Sequence, residues 1–360
     1  MNKERIILAI TLFLVLFGAV MVYSSSNIWS EFKTGDPYYF LKHQIVFVLI
    51  GMLAIYILRK IDYKIYYKKA NWIILICFLL LGLVLIPGIG QIRNGSRSWF
   101  GFGSLGIQPS ELAKIALIIF VAKYLSNNEK EMASFKKGAL PILAVIFFFF
   151  GLIMLQPDFG TGVVIVVTLV GMLFVSNIKL SFFAYLGMSG LLGMVGLIIV
   201  APYRIARIVS FINPWTDPLG SGFQIIQSLY AIGPGGIFGN GFGNSIQKHF
   251  YLPEPQTDFI FAIISEEFGF MGIVILGTLY LMLFYQVIKI AFNTSDLFGK
   301  YLSFGLIFGI MFQTVLNISV VIGLVPVTGV TLPFFSYGGS SLLVSMASIG
   351  IILNISRFVK

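Results

Sequence analysis

The chain has 360 residues, of which 58% are hydrophobic and only 11% charged. A soluble domain carries about a quarter charged residues, so a soluble globular class is excluded and a polytopic membrane class remains. The net charge of +10 raises the question of a nucleic-acid partner, and the single cysteine, Cys77, excludes an internal disulfide.

Apolar runs long enough to cross a ~30 Å hydrocarbon core fall at 6–23, 43–58, 71–88, 109–125, 138–155, 160–176, 181–200, 259–288, 302–325 and 339–356. The first lies in MNKERIILAITLFLVLFGAVMVYSSS. Its apolar stretch is too long for a signal-peptide core, and more membrane sequence follows it, so it reads as the first span. The stretch LQPDFGTG divides 138–176 into two helices. The run 259–288 exceeds one crossing, which implies tilt or protrusion.

These runs predict an all-α polytopic membrane protein of about ten transmembrane helices, forming one membrane domain over 1–360. With both termini in the cytoplasm, the inner segments hold 16 of the 24 basic residues and 5 of the 14 acidic ones. The positive charge is then a topology signal and requires no nucleic acid. A large extracytoplasmic loop, about 201–257, lies between spans 7 and 8, with shorter outer segments at 89–108 and 326–338. Function on a rigid scaffold concentrates in such loops, which makes the outer face the expected active face.

In chain order, the first polar constellation is RNGSRSWFGFGSLGIQPSELAK, residues 93–114. Its Gly-rich part reads as turn-forming, with Arg93, Arg97 and Trp99 at the interface. Pro109 and Ser110 open a helix. Glu111 and Lys114 share its face and pair, or line a cavity. Intramembrane charge is a site hypothesis by default, which favours the cavity for Lys114. In LQPDFGTG, Asp158 is equally suited to capping a helix and to lining a cavity.

The long loop brings Arg204 and Arg207 on one helical face. The apolar stretch FQIIQSLYAI is too short to span, so it is expected to lie in the interface or to re-enter the membrane. GPGGIFGNGFG lacks the preceding strand and the Lys-Ser/Thr ending of a phosphate loop. It is expected to be flexible backbone, with N–H groups available to an anion. Lys248 and His249 follow; with two histidines in the chain a zinc site is not indicated.

In YLPEPQTDFIFAIISEE, a stiff polar approach ends at Asp258, at the mouth of the longest span. Capping alone would explain it, but the approach favours a functional role. Glu266 lies about 80° round the helix from Asp258 and Glu267 roughly opposite. One glutamate is therefore expected to share the Asp258 cavity. In GLVPVTGVTLPFFSYGGSSL, Ser340 and Ser341 begin the last span, where helix N–H groups suit an anion or a simple cap. Charges gathered near the outer end favour an enzyme acting on an outer-face lipid over a carrier, whose charges would be spread through the midplane.

FINPWTDPLGSGFQIIQSLYAIGPGGIFGNGFGNSIQKHFYLPEPQTDFIFAIISEEFG, GLVPVTGVTLPFFSYGGSSL, NGSRSW, IQPSELAK and QPDFGTG resemble the SEDS family of shape, elongation, division and sporulation proteins, over nearly the whole chain. The wording SIQKHFYLPE is closer to the FtsW/SpoVE branch than to RodA. The resemblance implies a peptidoglycan glycosyltransferase of the bacterial cytoplasmic membrane. It polymerises lipid II into β-1,4-linked glycan with inversion and releases undecaprenyl diphosphate; a lipid II flippase is the alternative. It also implies a class B penicillin-binding protein as partner and puts the family's essential aspartate at Asp258. Arg97, Lys114, Glu111, Asp158, Arg204, Arg207, Lys248, Glu266 and Ser340 are the candidate substrate-binding residues, with a divalent cation (Mg2+ or Mn2+) as an alternative counter-charge for the diphosphate. Some division-branch relatives carry a basic residue where Gly106 and Thr328 stand here.

Overall fold

A computed structural model describes residues 3–93, 95–102, 105–199 and 209–359. The apolar runs fold as helices, because main-chain polar groups in lipid must be satisfied within the segment. They are α1 (Lys3–Thr34), α2 (Tyr39–Leu58), α3 (Lys64–Leu83), α4 (Pro109–Asn127), α5 (Leu140–Met154), α6 (Phe159–Phe174) and α7 (Leu180–Ile199). After the long loop come α8 (Phe223–Ile232), α9 (Ile260–Asn293), α10 (Leu297–Val321) and α11 (Gly339–Ser356). Among the described residues seven helices are long and apolar enough to cross a membrane: α1, α2, α3, α5 with its preceding turn, α9, α10 and α11. The chain is a multi-span membrane protein.

Burial separates two kinds of helix. α10 and α11 are buried along most of their length and form the centre, with α4, α6 and α9 packed on α10 and α2 packed on α11. α2 and α3 keep Leu49, Leu53, Trp72, Ile76 and Leu79 on the surface, an apolar face that lipid covers. α1 has 32 residues, about 48 Å at 1.5 Å per residue, so it projects well beyond a ~30 Å core.

Three segments depart from a plain helix bundle. Residues 91–107, expected as turns, form a three-stranded antiparallel sheet of β1 (Gln91–Arg93), β2 (Ser96–Phe102) and β3 (Leu105–Ile107). Its register pairs Gln91 with Trp99, Arg93 with Ser96, and Phe100 with Ile107. α8 is the helix formed by FQIIQSLYAI, the stretch expected to lie in the interface or to re-enter. It buries Ile225 and Ile226, exposes Tyr230, and is tied to the end of α10 by Ser228 Oγ donating to Val321 O at 2.7 Å. α9 is broken at Gly269, whose φ is 61° and ψ −159°. Its length therefore reflects two helical pieces in series.

Candidate active site

Asp258 stands half-buried, two residues before α9. The helix begins at Ile260 with Phe259 in the capping position, so Asp258 lies outside the place where a cap would sit. Its Oδ1 accepts a bond from Thr257 Oγ1 at 2.9 Å. Its main-chain oxygen accepts from Asn317 Nδ2 at 2.7 Å, and the same amide nitrogen donates to Val330 O at 2.8 Å. Asn317 is fully buried in α10. One side chain thus fixes the Asp258 backbone to the 326–338 segment. That segment is held further by Tyr337 N to Gln256 O at 2.8 Å, Gln44 Nε2 to Ser336 O at 3.3 Å, and Tyr280 Oη to Pro333 O.

Thr331 connects this strap to the charges of α4. Gln313 Nε2 donates to Thr331 O at 2.9 Å and to Ser341 Oγ at 3.2 Å, while its Oε1 accepts from Lys114 Nζ at 2.7 Å. Lys114 pairs with Glu111 at 2.6 Å, their side chains being only 11% and 7% exposed. At that exposure neither charge is well hydrated, so each depends on the other. The expected pairing on one helix face is present, and Gln313 joins the pair to Thr331.

Of the two readings for Asp158, the structure shows the helix cap. Asp158 caps α6 by accepting from Thr161 N at 3.4 Å, and its Oδ2 accepts from Gln108 Nε2 at 2.8 Å and Ser110 Oγ at 2.7 Å. Ser340 Oγ accepts from Gln108 N at 3.0 Å and donates to Gly106 O at 3.2 Å. The start of α6 lies directly on the strap: a Cβ on Gly160 would meet Thr328 O and Val330 Cγ2, both at 2.6 Å. Only glycine permits that approach. Glu111, Lys114, Asp158 and Ser340 therefore gather around the 326–338 segment, to which Asn317 ties the Asp258 backbone.

Glu266 and Lys248 belong to a second cluster. Glu266 accepts from Ser245 Oγ at 2.5 Å and Ile246 N at 2.8 Å. Glu267 accepts from Ser24 Oγ at 2.6 Å and from Lys248 Nζ at 3.4 Å, with side chains that are 0% and 2% exposed. Lys248 Nζ also donates to Gly243 O at 2.6 Å. Both glutamates, one of which was expected beside Asp258, are engaged in anchoring residues 243–248 to α9 and α1. A buried carboxylate needs such donors, and the loop supplies them.

The glycine-rich stretch is not open backbone. At the Gly269 break, Asn240 N donates to Glu266 O at 2.9 Å and Gly241 N to Glu267 O at 3.0 Å, while Phe270 N donates to Gly236 O at 2.9 Å and Met271 N to Ile237 O at 3.0 Å. Residues 236–241 thus act as a main-chain splint that replaces the interrupted helical ladder. The N–H groups of Asn240 and Gly241 are committed to the helix rather than to an anion. The fit requires glycine: a Cβ on Gly239 (φ +77°) would lie 2.2 Å from Glu267 O.

Arg97 sits on β2, half-buried, with Nη1 reaching Leu85 O at 3.5 Å. Arg204 and Arg207 lie outside the described residues. Sequence reading missed Gln313 and Asn317, the two amides that join the clusters. The available signal was an amide within an apolar span, where each polar group needs a partner.

The chain matches the FtsW/RodA/SpoVE family of cell cycle proteins over residues 4–360. The chain belongs to this family. It spans the relatives named next almost end to end. It is 52% identical to stage V sporulation protein E of Bacillus subtilis, covering 99% of this chain and 98% of that one. It is 39% identical to a probable peptidoglycan glycosyltransferase FtsW of a Geobacter species, covering 98% and 96%. Among solved structures, it superimposes on a chain of a peptidoglycan synthase complex that coordinates polymerisation and crosslinking, with a TM-score of 0.78, 32% identity and 96% of each chain covered. For the rod shape determining protein RodA of Thermus thermophilus the TM-score is 0.72 and the identity 29%, covering 98% and 95%.

Proposed function

We propose that this chain is a peptidoglycan glycosyltransferase that joins lipid II units into β-1,4-linked glycan and releases undecaprenyl diphosphate. The observation that carries the reading is Asp258, whose backbone a buried amide fixes at the head of α9 on the segment that also meets the Glu111–Lys114 pair through Gln313. Asp258 takes the proton of the acceptor hydroxyl as that oxygen attacks the anomeric carbon of the donor. The carbon–phosphate oxygen bond breaks on the opposite side, its electron pair leaves with the diphosphate, and the configuration inverts. The polar wall of Lys114, Glu111, Asp158 and Ser340 positions the sugars, and cations at the mouth take up the developing negative charge.

The chain works as one membrane unit of ten spans, with both termini in the cytoplasm and Asp258 at the outer surface. The distribution of Lys and Arg supports this orientation. The partner is a class B penicillin-binding protein, which supplies crosslinking. The test is polymerisation of lipid II by the purified protein with and without the transpeptidase, comparing Asp258→Asn with the parent chain. A positioned base contributes about 10²–10⁴ in rate, so glycan product should fall by at least the lower figure while thermal unfolding is unchanged. Full activity of the variant refutes the assignment. Lipid II translocation by a chain that makes no polymer would support the flippase alternative instead.

A further inference from the structure

A second opening lies on the Asp258 side of the bundle, built from side chains the proposed chemistry does not use. Lys33 and Thr34 at the end of α1, Tyr39 and Phe40 at the start of α2, Arg93 on β1 and Tyr337 on the 326–338 segment line a cavity of about 230 Å³. Its lining residues include two cations, two phenols and Thr34, and no carboxylate. Asp36, on the intervening turn, is committed to Lys42 at 2.6 Å.

The lining is held in position before any ligand arrives. The Arg93 guanidinium stacks 4.9 Å from the Trp99 ring centre and donates to Gln91 Oε1 at 3.2 Å. It lies against Gly106, where a Cβ would come within 2.7 Å of its Nη1. Lys33 Nζ stands 5.8 Å from the Trp29 ring. Tyr337 packs edge-on to Phe40 with centroids 4.9 Å apart. Burial, with Tyr39 beside it, pushes the Tyr337 phenol up to about 12 although Arg93 opposes the shift, so its hydroxyl stays a donor at neutral pH. A guanidinium, an ammonium and phenolic donors around one hollow form a recognition set for phosphate oxygens. The volume is below the ~300–1,000 Å³ of sites that enclose a whole drug-sized ligand. It suits a diphosphate better than a disaccharide.

We infer that this pocket binds the diphosphate of a polyprenyl-linked ligand. The polyprenyl source rests on the glycosyltransferase reading; the anion chemistry rests on the pocket alone. Tyr337 N is bonded to Gln256 O, two residues before Asp258, so the anion site and the carboxylate share one strap.

The test titrates the purified full chain with undecaprenyl diphosphate, inorganic diphosphate and undecaprenol, following fluorescence of Trp29 and Trp99. The expected result is saturable quenching by undecaprenyl diphosphate, weaker binding of inorganic diphosphate and none of undecaprenol. Lys33→Gln with Arg93→Gln should weaken the lipid diphosphate at least about tenfold, since charge-assisted bonds are the strong ones. Arg93→Lys should recover part of that loss, which a folding defect would not allow. Unchanged affinity in the double variant overturns the proposal, and inorganic diphosphate binding as tightly as the lipid overturns the polyprenyl source. Asp258→Asn should bind normally. If that variant also polymerises normally, the glycosyltransferase assignment fails while the anion site stands.

Discussion

Replacing Gly239 with Ala tests the splint. The new Cβ would meet Glu267 O at 2.2 Å, Glu267 C at 2.4 Å and Phe268 N at 2.5 Å. All three are main-chain atoms of α9 and cannot rotate away. The residue also sits at φ +77°, which costs an L side chain about 1–2 kcal/mol. Relief requires the loop to retreat, and retreat breaks the bonds from Asn240 N to Glu266 O and from Gly241 N to Glu267 O. Each buried group left unmade costs about 1–3 kcal/mol, so the sum is about 3–8 kcal/mol. At about 2.1 cal/mol/K of unfolding entropy per residue, a chain of 360 residues shifts by about 1.3 °C per kcal/mol, so the melting temperature in detergent should drop by about 4 °C or more. Gly82→Ala in α3, where nothing lies within 4 Å of the new atom, is the control. It should be neutral or stabilising by up to about 1 kcal/mol. A Gly239→Ala protein that melts within about 1 °C of its parent would show that the loop does not support the helix, since that margin is what less than about 1 kcal/mol would produce.

Three further outcomes are expected. Asn317→Leu removes the amide that joins Asp258 to Val330, so lipid II polymerisation should fall by about tenfold or more through misplacement of the carboxylate, with most of the loss in kcat rather than KM. Lys248→Met leaves the Glu267 carboxylate without its cation and should destabilise by about 3–5 kcal/mol; adding Glu267→Gln should restore much of that in thermal unfolding. Burial, with Asp296 and Asp62 nearby, raises the Tyr63 phenol from 10.0 to about 12. The unfolded chain then ionises first, so this stabilisation is complete below pH 10 and is lost as pH rises through about 12. Melting temperatures across that window should fall less steeply for Tyr63→Phe than for the parent.

The helices were legible because hydropathy is a local property: each apolar run must satisfy its own main chain in lipid. The Glu111–Lys114 pair and the Asp158 cap were legible for the same reason, since both depend on spacings of three residues. The sheet at 91–107 was not, because its Gly-rich strands carry no clear alternation and their pairing is set by register across turns. The joint roles of Gln313 and Asn317 were also hidden. Their partners Lys114, Thr331, Asp258 and Val330 lie far off in the chain or in a loop, and a lone amide in an apolar run does not name its partner. Glu266 and Glu267 were read by helical angle from Asp258, but that angle ignores a loop that arrives from outside the helix to claim both carboxylates.

The Gly269 break also bears on how the chain enters the bilayer. A ribosome delivers residues 236–241 before α9, and two carbonyls and two N–H groups of that helix bond to this earlier segment. If α9 partitioned alone, Phe270 N and Met271 N would pair with Glu266 O and Glu267 O, their own i−4 carbonyls, as a continuous helix. Docking of the earlier segment is therefore an exchange of partners, in which the helix opens at Gly269 as residues 236–241 take over its two carbonyls and two N–H groups.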